Sequence, residues 1–89
     1  MSTIDPKALK DFDGVLEAFI SNITSACSNM ETGITSCNRY MNDETSQRIL
    51  AKSKEVINQI RTVLNPAQNV LELIKEEQRH LSKGPGTNI

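Results

Sequence analysis

The chain has 89 residues, enough for one small domain, and contains no tryptophan, one tyrosine and two phenylalanines. So few large aromatic side chains leave leucine, isoleucine and valine to build a core, which suits helix-on-helix packing better than a compact β-sandwich. The formal net charge is −1 with both signs interspersed. This distribution provides no basic stripe for binding nucleic acid.

The sequence offers no segment that would insert into a membrane. No apolar run approaches the roughly 20 residues that span a bilayer. The first residues lack the charged and apolar regions of a cleavable signal peptide. We therefore expect a cytoplasmic protein, or one that is exported without a cleavable signal peptide.

Groups suited to catalysis or metal binding are sparse. Cys27 and Cys37 are predicted to lie on one helix about 15 Å apart, too far for a disulfide bond, and to act as reduced apolar residues. The one histidine, His80, lies near the end of a predicted helix, where it suits the helix C-terminus better than a role as a base. We expect no enzymatic activity, no cofactor, no metal site and no small-molecule substrate.

The first predicted helix begins at Pro6, with Asp5 as its N-cap, and runs to about residue 41. Its apolar residues recur at alternating steps of three and four, the spacing of inward positions in a coiled coil. One predicted inward row is Leu9, Leu16, Ile23, Met30 and Cys37. The predicted companion row is Phe12, Phe19, Ala26, Gly33 and Tyr40, in which Gly33 permits the helices to approach closely.

The second predicted helix covers about residues 44–81. The pattern stops at residues 41–45, where Asn42 can end a helix and Asp43 or Thr45 can cap the next. So short a connection makes the two helices antiparallel. The inward rows of the second helix are Leu50, Ile57, Leu64 and Leu71, with Ser53, Ile60, Ala67, Ile74 and Leu81. A third apolar row is Ile49, Val56, Val63 and Val70.

Pro66 lies inside this pattern and predicts a kink or a break, because proline lacks an N–H group and clashes with the carbonyl four residues earlier. The apolar rows keep their phase across the proline, which favours a kinked continuous helix over a three-helix bundle. The predicted fold is all-α, an antiparallel two-helix hairpin of long helices. Its predicted limits are an N-terminal extension at residues 1–5, the hairpin at 6–81 and a disordered tail at 82–89.

The wide apolar stripe of the second helix predicts a binding partner. Three apolar positions per heptad exceed what a two-helix seam can cover, so we expect another helical protein or a second copy to complete a four-helix bundle. No residue is charged between Ala18 and Met30 or between Thr62 and Leu71, and these stretches overlap in an antiparallel hairpin. Charge is depleted at interface centres. The partner-binding residues predicted from these stretches are Phe19, Ile20, Ile23, Ser25, Val63 and Val70. Those predicted for the seam are Leu9, Phe12, Leu16, Leu50, Ile57, Ile60, Leu64, Leu71 and Ile74.

In its length and its two similar helices that meet near the middle, the chain resembles the small helical-hairpin proteins of type VII secretion, the Trp-Xaa-Gly (WXG) family and its relatives. Tyr40-Met41-Asn42-Asp43 stands where that family has its Trp-Xaa-Gly turn. No aromatic residue follows Tyr40, so the family's export motif, an aromatic followed four residues later by an acid, has no counterpart. In these departures the chain is more similar to the helical adaptor proteins that accompany LXG toxins.

The resemblance implies an adaptor, a targeting chaperone or a co-secreted hairpin that binds the helical N-terminal domain of a toxin. It transfers no individual functional residue. Two alternatives stay open: a self-assembling needle or filament subunit, and a regulatory homodimeric helical bundle. A filament subunit must present different complementary surfaces along the rod, whereas an adaptor needs one discrete interface.

Overall fold

The computed structural model describes residues 4–40 and 42–83, and within these ranges it is helical with no strand. Helix α1 spans Pro6–Tyr40, α2 spans Glu44–Arg61 and α3 spans Leu64–Lys83. Helices α2 and α3 follow one another with a bend and together form the second arm, which packs antiparallel to α1. The prediction of an all-α hairpin with a bent second helix is confirmed.

The hairpin is a rod and not a globule. Its extents are 69 × 21 × 18 Å and its radius of gyration is 20.2 Å. A compact domain of the same length would have a radius of gyration of roughly 12 Å. Most residues therefore lie close to the surface, and the contact between the two arms, here called the seam, supplies the core.

Side-chain caps fix the starts of α1 and α2. The backbone N–H of Lys7 donates to Asp5 Oδ1 at 3.0 Å, directly before Pro6. At the second start, the N–H of Ser46 donates to Asp43 Oδ1 at 2.7 Å, and Asp43 itself is extended, with φ −74° and ψ 166°. Each carboxylate satisfies an N–H group that a helix start leaves unpaired. Of the two predicted caps for the second arm, Asp43 is the one used.

The bend lies at Thr62 and Val63, just ahead of the predicted kink at Pro66. Pro66 has no N–H to donate to the carbonyl of Thr62, and its ring crowds that carbonyl. The N–H of Val63 instead bonds the carbonyl of Ile60 at 3.0 Å, the tighter three-residue spacing. The N–H of Ala67 bonds the carbonyl of Val63 at 3.1 Å and restores the four-residue spacing. Pro66 thus lies in the first turn of α3, where proline is tolerated.

The second inward row of α1 is shifted by one position along the sequence from the predicted row. Its first row, Leu9 to Cys37, is half-buried as expected. The second row consists of Asp13, Ile20, Cys27 and Ile34. Phe12, which was predicted to belong to the seam, is 49% exposed, whereas Asp13 is 8% exposed. The predicted role of Gly33 is corrected as well, because Gly33 is exposed and an added Cβ there would meet nothing within 4 Å.

The second arm presents the predicted rows to the seam without a change of phase at the bend. The following residues are buried or half-buried: Leu50, Ser53, Ile57, Ile60, Leu64, Ala67, Leu71, Ile74 and Leu81. The buried apolar side chains in the described part of the chain are Cys27, Leu50, Ile57 and Ile74. This core is small. Each fully buried aliphatic side chain contributes about 1.5–3 kcal/mol to the free energy of folding.

The end of the second arm extends past the predicted limit. Helix α3 reaches Lys83, and the Ser82 hydroxyl donates to the carbonyl of Arg79 at 3.0 Å. Ser82, which was assigned to the tail, is therefore helical. The rest of the predicted tail, residues 84–89, lies outside the described residues, as do residues 1–3 and Met41.

Candidate protein-interaction surface

Along one side of the seam, ion pairs join the two arms. Arg61 donates two hydrogen bonds to the Glu31 carboxylate, at 2.8 and 2.6 Å. Lys75 Nζ donates to Glu17 Oε1 at 2.5 Å. We call this side the polar flank, which consists of Glu17, Glu31 and Asn38 of α1 with Gln47, Arg61 and Lys75 of the second arm. The pKa of Glu31 is lowered chiefly by the hydrogen bonds from Arg61, and that of Arg61 is raised by the same bonds.

A carboxylate at the open end of the hairpin explains the shifted row of α1. Asp13 Oδ2 accepts a hydrogen bond from Gln78 Nε2 at 2.6 Å and lies 3.2 Å from Lys75 Nζ. Burial raises the pKa of Asp13, but the hydrogen bonds from Gln78 and Lys75 outweigh it, and the pKa is lowered overall. The pKa of Lys75 is raised, first by its bond to Glu17 and then by its bond to Asp13. The charged side chain therefore turns inward, and Phe12 beside it turns outward.

The opposite flank of the seam carries exposed apolar side chains. Phe12 and Phe19 of α1 are 49% and 41% exposed. The third apolar row of the second arm is exposed along its length, from 42% at Val70 to 55% at Ile49. We call this side the apolar flank, which consists of Phe12, Phe19, Ala26 and Gly33 of α1 with Ile49, Val56, Val63 and Val70 of the second arm. Val15 and Leu73, next to it, are 64% and 65% exposed and widen it.

Helix geometry places both rows of the apolar flank on one side. In a heptad-patterned helix, the two positions that flank the seam are about 150° apart. In an antiparallel pair, equivalent flank positions of the two helices face the same side. The pairs Glu17–Lys75 and Glu31–Arg61 identify the positions that meet on the polar flank. The rows that contain Phe19 and Val63 occupy the other flank position of each helix, so they lie together on the opposite side.

The apolar flank is large enough for a specific interface. None of its eight positions is charged. With Val15 and Leu73 it exposes about 700 Å² on its large side chains, if each such side chain presents roughly 150–200 Å² when fully exposed. The largest apolar patch of a typical monomer is about 300–600 Å², and a standard protein interface covers about 800 Å² per partner. A surface of this area and composition is typical of a docking site for another protein.

The half of the apolar flank near the turn is hollow. Met30, Ile49 and Val56 border a shallow, open groove of about 630 Å³, which continues over the outer side of α2 to Arg48, Lys52 and Glu55. On the α1 side of this half, the flank positions are the small residues Ala26 and Gly33. The other half carries Phe12 and Phe19. On α1 the apolar flank is therefore raised at Phe12 and Phe19 and low at Ala26 and Gly33, and Tyr40, the next residue of this row, is 79% exposed beside the turn.

The structure separates the predicted partner-binding residues. Those on the apolar flank are Phe19, Val63 and Val70. Ile20 and Ile23 are half-buried and belong to the inward rows of α1. Ser25 is exposed on the outer side of α1, so a partner must extend beyond the apolar flank to reach it. The predicted partner-binding residues do not include Ile49 and Val56, although these two belong to the same third apolar row as Val63.

A substitution at Gly33 tests whether the apolar flank is uncovered in the isolated hairpin. Replacing Gly33 with alanine is expected to stabilise the isolated hairpin by about 0.5–1 kcal/mol, because alanine favours the helix and the new Cβ enters open space. Gly14, on another side of α1, also has open space and is the matched control. Thermal unfolding of both variants, followed by circular dichroism at low protein concentration, checks the effect. A lower melting temperature for Gly33→Ala alone would mean that Gly33 is already in close contact.

Other kinds of site are not evident in the described part of the chain. Residues 4–40 and 42–83 contain no cluster of three or more His, Cys, Asp or Glu side chains that could hold a metal ion. None of the three helices is long and apolar enough to cross a membrane. His80 is exposed on α3.

Comparisons with protein families, with curated proteins and with solved structures found no match to this chain. The resemblance to type VII secretion proteins therefore stays a prediction.

Proposed function

We propose that this protein is a non-catalytic helical binding protein whose apolar flank docks onto the helices of another protein. The observation that carries the proposal is the apolar flank, an uncharged surface with large side chains 41–55% exposed. Two antiparallel helices can cover only the seam between them. A further helical surface that packs against the apolar flank completes a four-helix bundle and removes these side chains from water.

The small core of the hairpin also favours a binding partner, because a partner would stabilise the fold. Within the described residues four apolar side chains are buried, and so small a core gives a two-helix hairpin little stability of its own. A partner that binds only the folded hairpin shifts the folding equilibrium toward it by mass action. Binding and folding are thus linked in this protein.

We further propose the biological setting that the architectural resemblance implies. The protein acts as an adaptor or targeting chaperone of a type VII secretion system, or is co-secreted by it, and binds the helical N-terminal domain of a toxin. A toxin domain made of long helices provides the kind of surface that fits along a 69 Å rod. The resemblance in length and helix layout is the support for this step.

The proposal is tested by capture with a pair of neighbouring variants. Val70→Lys places a charge on the apolar flank at a side chain that is 42% exposed, so the hairpin is expected to fold. Asn69→Lys places the same charge on the next residue, which is exposed on the outer side of α3. Tagged wild-type protein and both variants are used to recover bound proteins from the native cells, and these are identified by mass spectrometry.

We expect the wild type and Asn69→Lys to recover the same helical protein. Val70→Lys is expected to recover at least about tenfold less, because a charge at a buried interface position costs more than 1.4 kcal/mol. Equal recovery by Val70→Lys and Asn69→Lys would refute the apolar flank as the interface. A partner without a helical N-terminal domain would refute the toxin adaptor and leave the binding role intact.

A filament subunit is less well supported by the distribution of exposed apolar residues. Polymerisation along a rod requires two different complementary surfaces on each subunit. Apart from Ile4, the large apolar side chains that are exposed in the described residues lie on or beside the apolar flank. That arrangement favours one discrete interface.

A further inference from the structure

We propose that Cys27 and Cys37 form a redox switch in α1. A small disulfide such as oxidised glutathione converts the two thiols into an internal disulfide bond that only an unwound helix accommodates, and part of the apolar flank is lost with the helix. This inference goes beyond the proposed function, because it adds a chemical condition under which the hairpin opens. It depends on the cysteines and the segment between them, and it can fail while the binding role stands.

The folded hairpin keeps the two thiols apart. Both cysteines are free and both lie on α1, ten residues from one another. Their Cα atoms are therefore separated by about 15 Å along the helix, whereas a disulfide bond requires less than about 7 Å. Helical structure from Cys27 to Cys37 and a bond between the two sulfur atoms exclude each other. Once this segment unwinds, the flexible chain between the cysteines closes a short loop.

The segment between the cysteines is poorly suited to a helix. Of its nine residues, Met30 and Glu31 are strong helix formers. The residues of lower helix propensity are Ser28, Asn29, Thr32, Gly33, Ile34, Thr35 and Ser36. The hydroxyl groups of Thr32 and Thr35 donate to carbonyls four residues earlier, at 3.1 and 3.0 Å. Bonds of this kind slightly destabilise a helix, because the side chain competes for the backbone acceptor.

The end of α1 near the turn is held to the second arm by exposed groups. Within residues 28–40, the side chains that are half-buried are Met30, Ile34 and Cys37, and none is buried. The side chains of the Glu31–Arg61 ion pair are 48% and 42% exposed, and exposed ion pairs contribute little stability. The hydrogen bond from Gln47 to Asn38, at 3.3 Å, is exposed as well. A segment with such contacts opens locally more often than the whole protein unfolds.

Exchange with oxidised glutathione proceeds in two steps. Cys37 is half-buried and Cys27 is 1% exposed, so Cys37 reacts first. Its thiolate attacks one sulfur of oxidised glutathione, which forms a mixed disulfide and releases one glutathione. When the segment unwinds, the thiolate of Cys27 attacks the sulfur of Cys37 and releases the second glutathione. The two cysteines are oxidised, oxidised glutathione is reduced, and the two protons that the cysteines lose go to the two released glutathiones.

The disulfide removes part of the docking surface. Gly33 lies inside the unwound segment and Ala26 directly before it, and these are the flank positions of α1 near the turn. Cys27 is also one of the buried apolar side chains of the seam, so its withdrawal weakens the packing of the remaining hairpin. Oxidation therefore abolishes the half of the apolar flank near the turn, and reduction restores it.

The first experiment treats the purified, reduced full chain with oxidised glutathione, labels the remaining thiols with iodoacetamide and measures the intact mass. We expect a single chain that is lighter by two hydrogen atoms and takes up no label. Its circular dichroism is expected to lose at least about one seventh of the helix signal, which is the share of residues 27–37 in the three helices. Dithiothreitol is expected to restore the signal. Cys37→Ala lacks the second thiol and is the matched control, expected to keep its helix content under the same treatment.

The second experiment tests whether the segment must unwind. Gly33→Ala strengthens the helix between the cysteines, and its added Cβ meets nothing within 4 Å. We expect this variant to form the internal disulfide about two- to fivefold more slowly than wild type at the same concentration of oxidised glutathione. Gly14→Ala makes the same change in α1 outside the segment, also in open space, and is expected to react at the wild-type rate.

Four results would overturn the switch. The chain could keep its thiols or link only to a second copy, or it could form the internal disulfide without losing helix. Loss of helix by Cys37→Ala would mean that oxidant acts without the internal bond, and equal slowing by Gly33→Ala and Gly14→Ala would mean that no local unwinding precedes it. The capture experiment with Val70→Lys is carried out with a reducing agent present. Failure of the switch and failure of the proposed function are therefore distinguishable.

Discussion

Replacing Ile57 with aspartate is expected to unfold the hairpin. Ile57 is 2% exposed and lies in the seam, on the side of α2 that packs against α1. A carboxylate there would lose its contact with water, and burying a charge in an apolar seam costs about 3–5 kcal/mol. With four buried apolar side chains among the residues that the structure describes, the hairpin has little stability in reserve. The measurement is helix content by circular dichroism, together with a thermal melt.

The neighbouring residue provides the control. Val56 is 44% exposed on the apolar flank, so Val56→Asp introduces the same side chain one residue away without burying it in the hairpin. We expect Val56→Asp to keep its helix content and to lose association with the partner. A cooperative melt of Ile57→Asp at the wild-type temperature would mean that the inward rows are assigned to the wrong face.

The ends and the bend of the helices could be predicted because their causes are local. Asp5 and Asp43 act on N–H groups two or three residues away, and a carboxylate before a run of helix formers is a direct signal. Pro66 disturbs the carbonyl four residues earlier because of its own ring. The bend was expected near Pro66 and lies at Thr62 and Val63, which this four-residue reach explains.

The second inward row of α1 could not be predicted, because three adjacent rows of that helix are largely apolar. Apolarity alone favours the row of Phe12 and Phe19 over the row that begins with Asp13. The choice is made by Lys75 and Gln78, which are 62 and 65 residues away in the chain and bind the Asp13 carboxylate. A charged residue in the seam is recognisable only once its partners on the opposite arm are known.

The candidate interface was only partly predictable for a different reason. The stretch without charge between Ala18 and Met30 runs around the whole circumference of α1, and it does not indicate which side meets a partner. Ile20 and Ile23 fall in the seam, and Ser25 falls on the outer side. The row of Ile49 was the more informative signal, because its apolar residues exceed what the seam can cover. Its spacing specifies one side of the arm.

Lowering the pH below about 4.5 is expected to destabilise the hairpin progressively. The pKa values of Asp13, Glu31 and Asp43 are lowered in the folded chain from ordinary values of 3.8, 4.5 and 3.8. The unfolded chain therefore binds more protons than the folded chain as the pH falls through this range. The stability these carboxylates provide is complete at neutral pH and is lost as the pH falls through the folded-state values. Thermal melts between pH 7 and pH 3 measure the loss.

Glu31→Gln separates the contribution of one ion pair from the rest. The amide cannot pair with the Arg61 guanidinium as a carboxylate does, so we expect a lower melting temperature than wild type at pH 7. The difference is expected to shrink as the pH falls, because protonation of Glu31 removes the same interaction from the wild type. The stability that Lys75 provides through Glu17 and Asp13 is a separate contribution. It is complete below about pH 10.5 and is lost as the pH rises further, because the pKa of Lys75 is raised from its usual 10.5. A constant difference between Glu31→Gln and wild type from pH 7 to pH 3 would show that the Glu31–Arg61 pair does not stabilise the fold through its charge.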